Sequence, residues 1–215
     1  MAVAMEEQNL VYLLDGKIYI NLTNNCTNKC LFCIRNLKED VCGQNLWLKN
    51  DCVTANDVIS QLKNFLNTSE KSQNVVFCGY GEPTLKLDVL KEVAKFVKDN
   101  YKDVKIRVNT NGHANFVYER NILPELKGLV DEFSVSLNAQ REDLYKTLAQ
   151  PNIKTDKPLE VVKDFIKASV AEGFATTASI VSGYKDYDVD IAECEQIAKN
   201  LGAKFRNREW LERGY

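Results

Sequence analysis

Three cysteines, Cys26, Cys30 and Cys33, stand as C-x3-C-x2-C within "NNCTNKCLFCIRN". Thiolates this close in the chain can converge on one inorganic core. A [4Fe–4S] cube has four irons, so three protein ligands leave one iron open to another group. The structural alternative is a zinc site completed by Cys42 or Cys52. Zinc sites of that kind pair C-x2-C elements with a second pair or with histidines, and the chain has no second pair and a single histidine, His113.

The elements that must position these thiols alternate along the chain. Residues 10–22 read as a hairpin whose two-residue turn is Asp15-Gly16. Its second arm runs into the cysteines. Thr54 stands as an N-cap with Asp57 three residues on, and Val58, Leu62, Phe65 and Leu66 follow at helical spacing. A short apolar strand at 74–79 precedes a helix marked by Leu90, Val93, Ala94 and Val97. A strand at 104–110, a helical stretch to about Lys127 and a strand at 131–137 come next. A helix from Pro158 to Ala171, a strand at 175–181, a helix through about Leu201 and a strand at 203–208 complete the series.

About six β-α units imply parallel strands with right-handed crossovers. They are too few for a closed eight-fold barrel. The expected fold is α/β, a partial (open) TIM-type barrel with an N-terminal β-hairpin, and a doubly wound sheet is the alternative. No linker, charge block or repeat divides the chain, so residues 1–215 are expected to form one domain with no separate C-terminal domain.

Ligand-binding residues gather at the C-terminal ends of parallel strands, and the polar oddities fall there. The cysteines follow the first parallel strand. "GYGEPT" (79–84), "NTNGH" (109–113), "SLNA" (136–139), "SIVSGY" (179–184) and "FRNRE" (205–209) follow the next five. Each segment is weak alone, and their shared address is the signal.

C-x3-C-x-aromatic-C after one strand and G-x-G-E-P after the next resemble the radical S-adenosylmethionine (SAM) superfamily over nearly the whole chain. The segment 18–24 with Leu46-Trp47-Leu48 is similar to the TatD-associated radical SAM subfamily. The resemblance implies that Cys26, Cys30 and Cys33 hold a [4Fe–4S] cluster, with SAM chelating the open iron through its amino and carboxylate groups. It places Phe32 beside the adenine. Glu82, with the Gly79–Gly81 backbone, would accept hydrogen bonds from the SAM amino group. Ser136 and Asn138 would hydrogen-bond ribose hydroxyls or the SAM carboxylate, Asn109 and Asn111 would line the same groove, and Ile180 and Val181 would meet the adenine. The implied chemistry is reductive cleavage of SAM to methionine and a 5′-deoxyadenosyl radical, which abstracts hydrogen from a substrate.

Plainer readings stand beside these. Glu82 also fits a surface turn, Ser136 and Asn138 fit polar strand ends, and Asn109 and Asn111 fit turn chemistry. His113 reads as a solvated loop histidine. Arg206 and Arg208 fit either an anionic substrate group or an ordinary charged edge. Cys42, Cys52, Cys78 and Cys194 are isolated, and Cys78 reads as a buried small hydrophobe.

With 45% hydrophobic and 27% charged residues and a net charge of −2, the composition is that of an ordinary globular protein and gives no electrostatic argument for nucleic acid or a membrane surface. The acidic start, "MAVAMEEQNL", is unlike a signal peptide, so a reducing cytoplasm is expected for the seven cysteines. The expected partners are a small-molecule or nucleotide-like substrate and an electron donor such as flavodoxin or ferredoxin. The open barrel face admits a large substrate or closure by a second copy in a homodimer. Within the enzyme class, 7-carboxy-7-deazaguanine synthase places a threonine after the last cysteine, where this chain has Ile34 and Arg35. Glycyl-radical activating enzymes are the other compact relatives. A zinc-stabilised, non-enzymatic binding module is the alternative from outside that class.

Overall fold

The computed structural model describes residues 8–38, 40–41, 43–68 and 74–210. Strands β1 (Val11–Leu14) and β2 (Lys17–Ile20) form the expected antiparallel hairpin. Asp15 and Gly16 both take positive φ, 49° and 70°. That geometry matches the right-handed twist of the flanking strands.

A short hairpin, β3 (Asp40–Val41) and β4 (Gln44–Asn45), was not expected from the sequence. Helix α1 (Ala55–Thr68) begins at the anticipated cap: the Thr54 hydroxyl and N–H both donate to Asp57 Oδ2, and Asp57 N–H donates back to Thr54 Oγ1. Then come β5 (Asn74–Phe77), α2 (Leu87–Asn100) and β6 (Lys105–Thr110).

The helix expected as far as Lys127 is broken into one turn, α3 (Ala114–Val117), and a 3-10 turn, Leu123–Leu126. Glu119 between them has φ 52°, a left-handed residue that no α-helix can carry through. After β7 (Glu132–Ser136) stands a helix the sequence reading missed, α4 (Glu142–Ala149). α5 (Pro158–Ala171), β8 (Ala175–Ser182), α6 (Ile191–Asn200) and β9 (Lys204–Glu209) follow as expected.

Sheet order is β1-β2-β5-β6-β7-β8-β9, with β2 onward all parallel. Each unit adds to the same edge, so there is no switch point and the doubly wound alternative falls. β9 pairs only with β8 among the described strands, which leaves the barrel open.

Strand alternation sorts the side chains into two faces. Phe77, Ile106, Val108, Phe133, Val135, Ala178 and Ile180 join the apolar core under the helices. Cys78, Asn109, Ser134, Ser136, Ser179, Val181, Arg206 and Arg208 line the concave side instead. The interior is therefore a polar cavity, where a closed TIM barrel packs branched apolar residues. No helix among the described residues is long and apolar enough to cross a membrane.

Candidate active site

One pocket opens at the C-terminal ends of the strands. Its lining includes Cys26, Cys30, Cys33, Phe32, Gly79, Gly81, Glu82, Asn109, Asn111, Ser136, Asn138 and Val181. The cysteine loop follows β2 and is held from three sides.

The first support is α4. The last carbonyls of a helix have no partner within it, and here the cysteine loop supplies one: Lys29 N–H donates to Ala149 O (3.0 Å) and Leu31 N–H to Leu148 O (2.9 Å). Asn152 N–H returns to Thr27 O (2.7 Å). The second is Arg35, whose guanidinium donates to the carbonyls of Asn24 (3.2 Å), Tyr80 (3.3 Å) and Asn28 (3.5 Å). Arg35 thus ties the cysteine loop to the "GYGEPT" loop, a role invisible without those carbonyls.

The third support contains His113. It is 1% exposed, not the solvated residue the sequence suggested. Nδ1 lies 2.9 Å from Thr27 Oγ1 and Nε2 lies 3.0 Å from Tyr145 OH. Burial lowers its pKa to about 4, which keeps the ring neutral as a hydrogen-bonding strut behind the loop.

The signature pairing of residues 18–24 with "LWL" also has a physical basis. Asn21 Nδ2 donates to Leu46 O (2.7 Å), while Asn24 donates to Leu48 O (2.7 Å) and accepts from Leu48 N–H (3.0 Å). These side-chain amides replace a backbone ladder and pin the approach to Cys26.

Glu82 is 4% exposed and lines the pocket, but its carboxylate is committed within the protein. Oε1 accepts from Thr84 N–H (3.1 Å), Thr84 Oγ1 (2.7 Å) and Thr110 Oγ1 (2.8 Å), and Oε2 accepts from Asn111 N–H (2.7 Å). Burial pushes its pKa up, against four donors that favour the ionised form. A carboxylate offers about four acceptor sites, and here Oε1 takes three donors and Oε2 one. Its geometry is that of a clamp between the β5 and β6 loops. Oε2, with that single donor, keeps a lone pair beyond the clamp.

Glu82→Gln, which turns one acceptor into a donor facing donors, should destabilise the ligand-free protein by about 2 kcal/mol. Thermal unfolding followed by circular dichroism should show a Tm lower by roughly 4–8 °C. An unchanged Tm would mean the carboxylate does not act as that clamp.

The Ile180 side chain offers no apolar surface to the pocket, which leaves its backbone groups as what that position can present. It is fully buried in the helix-facing core, and Ser179, one residue earlier, shares the pocket face with Val181. The remaining expected residues face the pocket. Asn109 and Asn138 each present a buried Oδ1 without a protein partner, as does Asn28. Asn111 Nδ2 donates to Thr27 Oγ1 (2.7 Å) and lies 3.6 Å from Cys26 Sγ. Phe32 packs edge-on to Tyr184 with centroids 6.0 Å apart. Cys78, Ser134, Tyr80 and Trp210 also line the pocket, which the sequence reading did not foresee.

The thiols themselves are set against ionising alone. Burial, then Glu82, raises Cys26 to about 11; burial, then Cys33 and Cys26, raises Cys30; burial raises Cys33. The Arg35 guanidinium acts against burial at all three sulfurs. Cys52 is exposed, Cys194 is buried, and Cys42 lies outside the described residues.

An open parallel α/β barrel with ligand-seeking thiols and orphaned acceptors at one set of strand ends defines a cofactor-dependent barrel enzyme. Residues 20–201 match the model of the radical SAM superfamily, and the chain belongs to that superfamily. Members of that superfamily bind a [4Fe–4S] cluster and SAM.

Among curated proteins, the dual-specificity RNA methyltransferase RlmN of Methylocella silvestris is 25% identical over 93% of this chain and 53% of its own length. The RlmN of Dinoroseobacter shibae is 22% identical over 92% and 52%. The chain spans about half the length of these relatives. Among solved structures, Streptococcus suis SuiB bound to S-adenosylmethionine superposes with a TM-score of 0.63 at 17% identity, over 90% of this chain and 38% of that one. TYW1 with a lysine-pyruvate adduct gives 0.60 at 16% identity, over 91% and 65%. At such identities the structures speak for the fold.

Proposed function

We propose that Cys26, Cys30 and Cys33 hold a [4Fe–4S] cluster and that SAM occupies the adjoining pocket. The observation that carries this is the placement of three thiols on the rim of a pocket walled by Gly79–Gly81 and the orphaned acceptors of Asn28, Asn109 and Asn138. When both groups are bound, the chemistry supplied is reductive cleavage of SAM to methionine and a 5′-deoxyadenosyl radical, which abstracts hydrogen from a substrate.

The residues of this chain bind and shield. Asn28 N–H and Asn111 Nδ2 direct hydrogen bonds at Cys26 Sγ, at 3.4 and 3.6 Å, and bonds of this kind tune a cluster's potential. The carbonyls of Gly79–Gly81 are the acceptors for an ammonium group. Asn109 and Asn138 offer acceptors to hydroxyls, and Ser136 adds a hydroxyl of its own. Phe32 and Val181 supply apolar surface to a purine ring. The ring series Phe32, Tyr184 and Trp210 walls off water on one side.

Within the superfamily, the asparagine clasp of Asn21 and Asn24 on "LWL" supports the TatD-associated subfamily. The reaction is tested by anaerobic reconstitution with iron and sulfide, then reduction in the presence of SAM. Formation of 5′-deoxyadenosine is the expected result, and its absence from a sample carrying a full cluster would refute the proposal.

A further inference from the structure

We infer that the β9 wall of the pocket binds an anionic group of the substrate, a carboxylate or a phosphate, with Arg208 as the principal contact. The inference rests on the radical SAM reading above for the identity of the cofactor that shares the pocket.

Arg206 and Arg208, on one face of β9, and Trp210, just past its end, all line the pocket. Arg208 Nε and Trp210 Nε1 are buried donors with no protein acceptor. No carboxylate among the described residues pairs with Arg208, and the one acid lining the pocket, Glu82, is engaged by its four donors. Arg206 is held from behind, donating across β8 to Ser134 Oγ (3.3 Å). Arg107, on the same inward face of β6, also has a buried Nε without an acceptor. Arg107 and Arg208 both act electrostatically on Cys78 at the end of β5, so the two guanidiniums share one region of the interior.

A guanidinium lining a pocket whose one lining carboxylate is engaged elsewhere is a recognition element for an anion. Guanidinium favours planar carboxylates and phosphates because its N–H groups fork. The indole N–H is fixed, since Trp210 N–H donates to Ser182 O (2.8 Å) and its ring packs on Tyr184 at 5.1 Å.

Position separates this site from the SAM carboxylate. β9 and β2 stand toward opposite edges of the sheet, and the cysteines follow β2. Residues that would hold a SAM carboxylate belong to the cysteine side, after β2, whereas Arg208 stands on β9, with four strands between the two in the sheet order.

The test uses reconstituted protein at fixed ionic strength, titrated with inorganic phosphate or acetate against a chloride baseline, with Tm read at each step. SAM affinity is measured on the same samples by equilibrium dialysis. The wild type should show a saturable Tm rise with one or both probes: phosphate alone indicates a phosphorylated substrate, acetate alone a carboxylate, and both a site that takes either. Arg208→Met should weaken the apparent anion affinity at least tenfold while changing SAM affinity less than threefold. Arg208→Lys, which keeps the charge and loses the fork, should weaken it by about threefold to tenfold, and it serves if the methionine variant does not fold. The inference is overturned by no saturable response in the wild type, by equal responses in wild type and variants, or by a tenfold loss of SAM affinity in Arg208→Met. Failure of the cofactor reading looks different: iron or SAM would not bind, and the anion response would persist in cluster-free protein.

Discussion

Cys30→Ala, reconstituted anaerobically with iron and sulfide, is expected to retain under a tenth of the wild-type iron and to release no detectable 5′-deoxyadenosine. The size of the effect follows from the ligand count. Three thiolates are the minimum set here, and Cys30 is the middle one, strapped through its neighbours Lys29 and Leu31 to the end of α4. Loss of an outer-shell partner costs a metal site about 10–100-fold in affinity or activity, so loss of a ligand should exceed that. The fold should survive. Cys30 is only partly buried, and removing one sulfur from such a position costs about 1 kcal/mol, a Tm change of roughly 2–4 °C. Low iron with a near-native Tm and circular dichroism spectrum is therefore the expected signature. Cys52→Ala is the companion measurement. Cys52 is exposed and should leave iron content unchanged, while a zinc site completed by Cys52 would lose its metal in both variants. Wild-type iron in Cys30→Ala would end the three-cysteine assignment.

What the sequence made legible were features written locally. The Asp15-Gly16 turn, the Thr54–Asp57 cap and the apolar rhythm of α2 each depend on residues within a few positions of one another, and the structure has them where local chemistry puts them. The strand-end address of the site was legible for the same reason, because β-α alternation is a repeated local pattern. What escaped was set by partners distant in the chain. Glu82 was visible as part of a motif, yet its work is defined by Thr110 and Asn111, which only the pairing of β5 with β6 brings to it. His113 reads as solvated in the sequence because Thr27 and Tyr145, which enclose it, lie 86 and 32 residues away. Strand β8 carries small or apolar residues on both faces, so its parity is ambiguous in the sequence, and only the sheet shows Ser179 and Val181 on the pocket side with the Ile180 side chain in the core. The eight residues of α4 open on two acids and bury four side chains only by packing against neighbours, a weak periodic signal for a helix that supports the cysteine loop.

Gly81→Ala should damage both the fold and the cofactor site, for a reason that is steric and local. A Cβ at Gly81 would lie 2.2 Å from Thr23 O and 2.5 Å from Asn25 O, against the 3.0 Å below which real Cβ contacts essentially never fall. Backbone must therefore move by nearly 1 Å, since both obstacles are main-chain atoms of the cysteine loop. That loop has little freedom to yield. Asn25 O already accepts Glu82 N–H at 2.7 Å, and Asp51 accepts from Thr23 Oγ1 and Asn25 Nδ2 while pairing with Lys86 at 2.9 Å. Overpacking a tight site costs about 1–3 kcal/mol, and breaking the Glu82–Asn25 bond adds about 1 kcal/mol. The expected result is a Tm lower by roughly 6–12 °C and a reconstituted iron content well below that of wild type. Gly128→Ala separates crowding from backbone preference: Gly128 has φ 77° with nothing within 4 Å of its added Cβ, so alanine there should cost about 1 kcal/mol and leave iron content intact. Full iron and a native Tm in Gly81→Ala would show that the "GYGEPT" loop does not bear on the cysteine loop, and the close packing of those two loops, on which the clamp at Glu82 and the staple at Arg35 both depend, would have to be abandoned.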